Sequence, residues 1–290
     1  MKLWSSSSKD ESMVKDGSLT GRLVIITGAS SGIGYGAARR LAQTEGARVV
    51  AVARRRVFRI EALAAQVTEQ VGEERVFPLT TDMADRSQAE AVVRQIEEKF
   101  GRIDGFIHAV NRALKLPALD VSDKEFDLTM QVNVKSALYG VQAVAPVLRR
   151  QGSGGIVIYN PTPQETAEFV ASEAVYTAAA HALSALSAGW VRQLAGSGVG
   201  VREIAPSPDS GTPNGAWSRA GVSHDALLVA ALLETLNASS AAAPEAPALE
   251  APTQSKSSLL SFRSVLDRPA AEHPEPRTLR SYGGLVLKEF

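Results

Sequence analysis

Short apolar runs and longer amphipathic stretches alternate along the first two thirds of the chain. Leu23-Val24-Ile25-Ile26 is unbroken apolar sequence and predicts a strand over about 22–27, covered on both faces. Tyr35-Gly36-Ala37-Ala38-Arg39-Arg40-Leu41-Ala42 follows at helical spacing, predicting a helix over about 33–45 that Gly46 ends. The same rhythm predicts strands at Arg48–Ala53, Arg75–Thr80, Ile103–Ala109, Gly155–Tyr159 and Val199–Ile204. It predicts helices at Ile60–Val71, from an Asp85 cap to Phe100, over Asp123–Arg150 with a break near Gln131, and over Ser172–Ala195. Strands alternating with helices imply an α/β fold: a Rossmann-type, doubly wound parallel sheet in three layers. Ligands of such sheets bind beyond the C-terminal ends of the strands.

The flanks are different. Residues 1–18 are polar and read as a flexible N-terminal arm, with Met13 a possible second start. Pro206 to Gly215 is loop sequence, and His224–Leu236 reads as one more helix closing a domain over 19–236. Residues 237–282 are rich in Ala and Pro and read as an insertion or linker, and Gly283–Leu287 reads as a final strand within 283–290. Apolar residues make up 44% of the 290, enough for a large core. Lys+Arg and Asp+Glu both number 31, which argues against nucleic acid or an anionic membrane as partner. The absence of cysteine excludes disulfides, thiolate metal sites and a cysteine nucleophile; no metal site is expected. No run reaches the roughly 18 apolar residues of a membrane helix, and no signal-peptide stretch follows Met1, so the expectation is a cytoplasmic protein.

Candidate chemistry begins at the first strand-to-helix turn, Thr27-Gly28-Ala29-Ser30-Ser31-Gly32-Ile33-Gly34. Gly28 permits the tight turn, Gly32 lets the backbone approach a pyrophosphate, and Gly34 lets helix and strand pack. The helix N-terminus adds N–H donors and a partial positive charge for the anion, with Ser30, Ser31 and Ile33 in the same turn. The end of the second strand reads Ala53-Arg54-Arg55-Arg56, with no carboxylate for a ribose 2′-OH. The guanidinium groups of Arg54 and Arg55 match a 2′-phosphate instead, so NADP(H) is expected over NAD(H); the bland alternative is a solvated helix start.

On these residues the chain resembles the short-chain dehydrogenase/reductase family over about 19–236. Thr27 to Gly34 fits the family's TGxxxGIG turn at every fixed position. Asp82 matches the family's aspartate near the adenine ring, Asn133 its helix asparagine, and Tyr176 its catalytic tyrosine. The resemblance implies NAD(P)-dependent carbonyl or alcohol chemistry in which a serine binds the carbonyl, a tyrosine transfers the proton, and a lysine four residues on lowers the tyrosine pKa. It also implies pairing through the two long helices, giving a homodimer or homotetramer.

The chain departs from that pattern where the chemistry sits. Ala180 takes the lysine position, and an unassisted tyrosine, with a pKa of about 10, is a poor base at neutral pH. His181 is adjacent but rotated by ~100° around the helix. Counting places Pro161 or Pro163 at the serine position; Thr162 offers a hydroxyl nearby and Asn160 an amide. His108-Ala109-Val110-Asn111 stands for the family's Asn-Asn-Ala-Gly, and Pro208-Asp209 for its Pro-Gly. His108 reads either as a proton carrier beside the nicotinamide or as a hydrogen-bonded strand-end residue. Glu165, Glu168 and Glu173 read as surrogate acids or as a solvated loop and helix start. Three readings stay open: an NADP(H)-dependent oxidoreductase on a small-molecule carbonyl or alcohol with a weakened relay, carried by Tyr176 or His181 with Asn133 and Thr162; a non-catalytic relative with a binding, regulatory or assembly role; and a lyase or isomerase using the same pocket.

Overall fold

Burial on both faces explains the unbroken apolar first run. In the computed structural model, which describes residues 18–161, 167–204, 218–219 and 222–240, every residue of β1 (Leu23–Thr27) is buried. The chain continues through α1 (Gly32–Gln43), β2 (Arg48–Ala53), α2 (Val57–Val71), β3 (Val76–Thr80), α3 (Arg86–Phe100) and β4 (Gly105–His108). Then come α4 (Asp123–Met130), a π-helical segment (Gln131–Lys135), α5 (Ser136–Gln151), β5 (Gly154–Tyr159), α6 (Ala167–Leu194) and β6 (Val199–Ile204). A two-residue hairpin, β7 (Ser218–Arg219) with β8 (Val222–Ser223), precedes α7 (His224–Ser240).

Six strands form one parallel sheet in the order β3-β2-β1-β4-β5-β6. Alternate residues of β1 divide between two cores. Val24 and Ile26 pack with α1, α2 and α7; Leu23 and Ile25 pack with α3, α5 and α6. This is the three-layer, doubly wound arrangement that the alternation predicted. Pro78 sits inside β3 because β3 is an edge strand, where a missing N–H disrupts no ladder on the outer side.

Helix ends follow the local signals. The Asp85 carboxylate accepts from Gln88 N at 3.0 Å to cap α3, and Gly101 ends that helix in the left-handed conformation. Ser122 and Glu125 form a capping box at the start of α4. The long helix predicted over Asp123–Arg150 is interrupted at Gln131, and the interruption is the π segment. A π segment places an extra residue in a turn and is frequent at functional sites. The three largest boundary differences are in helices. α2 begins at Val57 rather than Ile60, α6 starts five residues before Ser172, and α7 runs four residues past Leu236. The alanine and serine that follow Leu236 tolerate helix, and no proline intervenes before Pro244. Residues 1–17 of the N-terminal arm, the 241–282 stretch and the expected strand over Gly283–Leu287 lie outside the described residues.

Candidate active site

The glycine turn joins β1 to α1 at the C-terminal edge of the sheet. Gly28 has φ +76, and a Cβ there would lie 2.6 Å from Ala109 O. A Cβ on Gly34 would lie 2.6 Å from Gly28 O. Both glycines are therefore fixed by close backbone approach. Gly32 differs: its φ is +55, but a Cβ would meet nothing within 4 Å. It is exposed beside the α1 N-terminus, where Ser31 makes no side-chain cap and the first turn holds no acid. Open space, uncapped N–H groups and no competing carboxylate suit a pyrophosphate, so Ser30 to Gly34 are the residues that would hold it.

The adenosine side follows from sheet order. β2 and β3 are parallel neighbours, so the residues just past their ends are brought together. Arg54 Nη1 lies 3.2 Å from Asp82 Oδ2, and Asp82 Oδ1 accepts from Ala84 N at 3.0 Å. The pair is exposed and worth under about 1 kcal/mol, so an incoming phosphate can recruit the guanidinium cheaply. Arg55 is exposed beside it. Arg56 adopts a left-handed backbone (φ 57), alone among the described non-glycine residues, and begins α2.

His108 lies opposite Thr27 in the β1–β4 register and is fully buried. Thr27 Oγ1 is 3.0 Å from Nδ1 and Ser136 Oγ is 3.4 Å from Nε2. Ser136 donates its only hydroxyl proton to Val132 O at 2.5 Å, so it must accept from Nε2–H. Nδ1 then accepts from Thr27. The imidazole is neutral, and burial pushes its pKa down to about 3. The hydrogen-bonded strand-end reading describes this environment.

The sign of that shift makes a prediction. Below the ordinary histidine pKa of 6.5 the unfolded chain takes up a proton that the folded chain refuses down to about pH 3. Stability is thus fully present above pH 6.5 and falls by about 1.4 kcal/mol per pH unit below it. In urea unfolding, the stability difference between wild type and His108→Asn should shrink by that slope from pH 6.5 downward. Parallel curves would show that His108 does not carry it.

Asn133, in the π segment, is 5% exposed and clasps the loop after β4. Its Oδ1 accepts from Arg112 N at 2.7 Å and its Nδ2 donates to Arg112 O at 2.9 Å. Arg112 Nη1 also donates to Thr129 Oγ1 at 3.1 Å. The β4 loop is therefore tied to the π segment on one side and meets the glycine turn at Ala109 on the other.

Tyr176 is buried on α6. Its hydroxyl donates to Pro161 O at 2.9 Å, and the Asn111 side chain hydrogen-bonds to it. Burial, opposed by the Asn111 hydrogen bond and reinforced by Glu173, pushes its pKa up to about 12. Ala180, four residues on, is 3% exposed, and its carbonyl accepts from Asn160 Nδ2 at 2.9 Å. That amide nitrogen also reaches Ser184 Oγ and Glu203 Oε1. Asn160 is thus bound into the β5–α6–β6 packing. His181 is exposed, with Nδ1 2.9 Å from Thr177 O, whereas Tyr176 is buried. Thr162 lies outside the described residues, as do Glu165 and the loop carrying Pro208-Asp209.

Glu173 departs from the solvated reading. It is 3% exposed, and Lys115 Nζ lies 3.5 Å from its Oε1. Its non-helical backbone (φ −135, ψ 23) kinks α6 three residues before Tyr176, which is why a helix-start pattern gave no hint of burial. Asn111 and the Pro161 carbonyl were also missed as partners of Tyr176. A backbone carbonyl has no sequence signal, and Asn111 stood in a motif that had lost its pattern.

Comparison with known proteins decides the family. The family model for short chain dehydrogenases matches residues 22–220. The chain belongs to the short-chain dehydrogenase/reductase family. An uncharacterized oxidoreductase of Staphylococcus aureus strain MW2 is 31% identical over 188 residues, spanning 65% of this chain and 78% of that protein. Levodione reductase of Leifsonia aquatica is 32% identical over 188 residues, covering 64% and 69%. A solved levodione reductase superposes with a TM-score of 0.60 over 65% of this chain and 72% of its own. A metagenomic short-chain oxidoreductase in complex with NADP reaches a TM-score of 0.66 over 78% and 95%, at 24% identity, which speaks for the fold alone. Short-chain dehydrogenases bind a nicotinamide dinucleotide, and the glycine turn of this chain fits one. Among the described residues no helix is long and apolar enough to cross a membrane, and no cluster of three metal-ligating side chains occurs.

Proposed function

We propose that this chain is an NADP(H)-binding member of the family in which the dinucleotide site is kept and the Tyr176 proton relay is weakened. The observation that carries the reading is the contrast between two halves of one site. The turn from Ser30 to Gly34 leaves room and unpaired donors for a pyrophosphate. Tyr176, by contrast, donates its hydroxyl hydrogen bond to Pro161 O, and buried Ala180 stands where a lysine would assist it. With its pKa near 12, about one phenol in 10⁵ is ionised at pH 7. When bound, the dinucleotide supplies or accepts hydride. What this chain adds is a binding turn, a guanidinium for the 2′-phosphate and a neutral phenol. A carbonyl or alcohol substrate is the class this reading gives, with Asn133 holding the β4 loop against the π segment. The second reading, a binding or assembly role without turnover, is favoured by the Tyr176 hydroxyl being engaged on both its donor and acceptor sides.

The same reading includes pairing of copies through α5 and α6. Their outer surfaces share a groove in which Val141, Ala145, Trp190 and Leu194 are joined by polar residues including Arg149 and Arg150, and Val191 on α6 is 40% exposed.

Cofactor choice is tested by titrating NADPH and NADH against nicotinamide fluorescence. Arg54→Ala should weaken NADPH by about 10-fold, the loss of one charge-assisted phosphate contact, and leave NADH within about 2-fold. Equal weakening of both, or none, would remove the 2′-phosphate assignment.

A further inference from the structure

A carboxylate is rarely buried unless paired, and Glu173 is buried next to the residue whose ionisation matters most. It marks the kink at which the helical run carrying Tyr176 begins, three residues before the tyrosine. Its ion-pair partner is asymmetric. The Glu173 side chain is 3% exposed, whereas that of Lys115, on the β4 loop, is 73% exposed. The negative charge is therefore held inside the site and the positive charge at its edge, where water screens it. On the other side of Tyr176 the cation that the family supplies is absent, because position 180 is a buried alanine.

We propose that Glu173 is a positioning residue that helps keep the proton on Tyr176: its buried carboxylate stands at the kink three residues before the tyrosine, where the family instead places a positive charge four residues after it. The inference rests on Tyr176 occupying the relay position. The groups facing the phenol are consistent with it. Glu173 comes from its own helix, Tyr159 from β5 and Asn111 from the β4 loop. Burial and Glu173 disfavour the phenolate of Tyr176, Asn111 supports it, and a Tyr176 phenolate would in turn disfavour ionisation of Tyr159. Tyr176 is thus kept as a phenol that donates a hydrogen bond to oxygen, and it does not serve as a base. No bond to carbon is made or broken by Glu173; its effect is on where one proton stays.

The test follows tyrosinate absorbance against pH in the full chain without cofactor, with the matching Tyr176→Phe protein subtracted. Ala180→Lys serves as the background, since a lysine there brings the midpoint into a range where the protein stays folded. Adding Glu173→Gln should lower the Tyr176 midpoint by about one pH unit, and adding Lys115→Gln should raise it, because the carboxylate then stands uncompensated. Opposite shifts are the signature, since a merely structural role would move neither. Shifts in one direction, or no shift, overturn the proposal. If Glu173→Gln does not fold, Lys115→Gln decides alone, and an unchanged or lower midpoint overturns the proposal. Because no dinucleotide is present, failure here is separate from failure of the NADPH titration.

Discussion

Gly28→Ala should destabilise the protein by about 2–5 kcal/mol in urea unfolding, a large loss against the roughly 5–15 kcal/mol of an ordinary domain. Two costs act together. An alanine at φ +76 pays about 1–2 kcal/mol for the left-handed backbone. Its methyl group would also stand 2.6 Å from Ala109 O and 2.7 Å from Ala109 C, atoms of a strand-end backbone that cannot rotate away. Relief requires the β4 loop to move, at a typical overpacking cost of about 1–3 kcal/mol. Gly32→Ala provides the contrast. The backbone cost is similar, but no atom lies within 4 Å of the new methyl group, so the loss of stability should stay near 1 kcal/mol. Its effect should appear in binding, as a 10- to 100-fold loss of NADPH affinity from about 1–3 kcal/mol of steric cost. Equal stability losses in the two variants would show that Gly28 is not held against Ala109. Unchanged NADPH affinity in Gly32→Ala would show that the space over Gly32 is not where the cofactor binds.

That contrast also shows what the sequence could and could not reveal. The sheet was legible because buried parallel strands are continuous apolar runs, and Leu23–Thr27 and Gly154–Tyr159 are buried throughout. The break at Gln131 was legible, but not as a π segment, because helical periodicity survives one extra residue. The roles of Gly28 and Gly34 were legible from spacing, since only close backbone approach demands glycine at both. The loss of lysine at 180 was visible by counting. The burial of Glu173 was not, because it depends on a backbone kink and on Lys115, 58 positions away in a loop without regular structure. The neutral state of His108 was equally hidden, since it depends on which proton Ser136 spends on Val132 O.

Ala180→Lys should restore proton transfer. Positions 176 and 180 share a helix face, so a lysine at 180 brings an ammonium to the side of the phenol from which it is now missing. Positive charge there lowers the Tyr176 pKa from about 12 by more than one unit, toward the range in which a tyrosine exchanges protons. General acid–base assistance is worth about 10²–10⁴-fold, and the lower end applies here because the phenol hydroxyl is still engaged in its hydrogen bond to Pro161 O. NADPH consumption with a panel of ketones and aldehydes should therefore rise about 100-fold above that of the Tyr176→Phe protein. The substitution also enlarges a buried side chain, with an expected cost of about 1–3 kcal/mol that urea unfolding will report. A folded Ala180→Lys protein that binds NADPH, shows the lowered Tyr176 midpoint and still gives no turnover would mean that more of the pocket than the lysine has been lost.

One site keeps its cofactor half and weakens its proton relay. Nicotinamide fluorescence and NADPH absorbance, followed together in the wild-type chain as NADPH and then the carbonyl panel are added, read the two halves separately. Fluorescence should saturate with NADPH while absorbance then falls no faster than in the Tyr176→Phe protein. Absence of saturation at millimolar NADPH would contradict the kept cofactor half, and Tyr176-dependent consumption of NADPH at rates near 10 per second, typical of enzymes, would contradict the weakened relay.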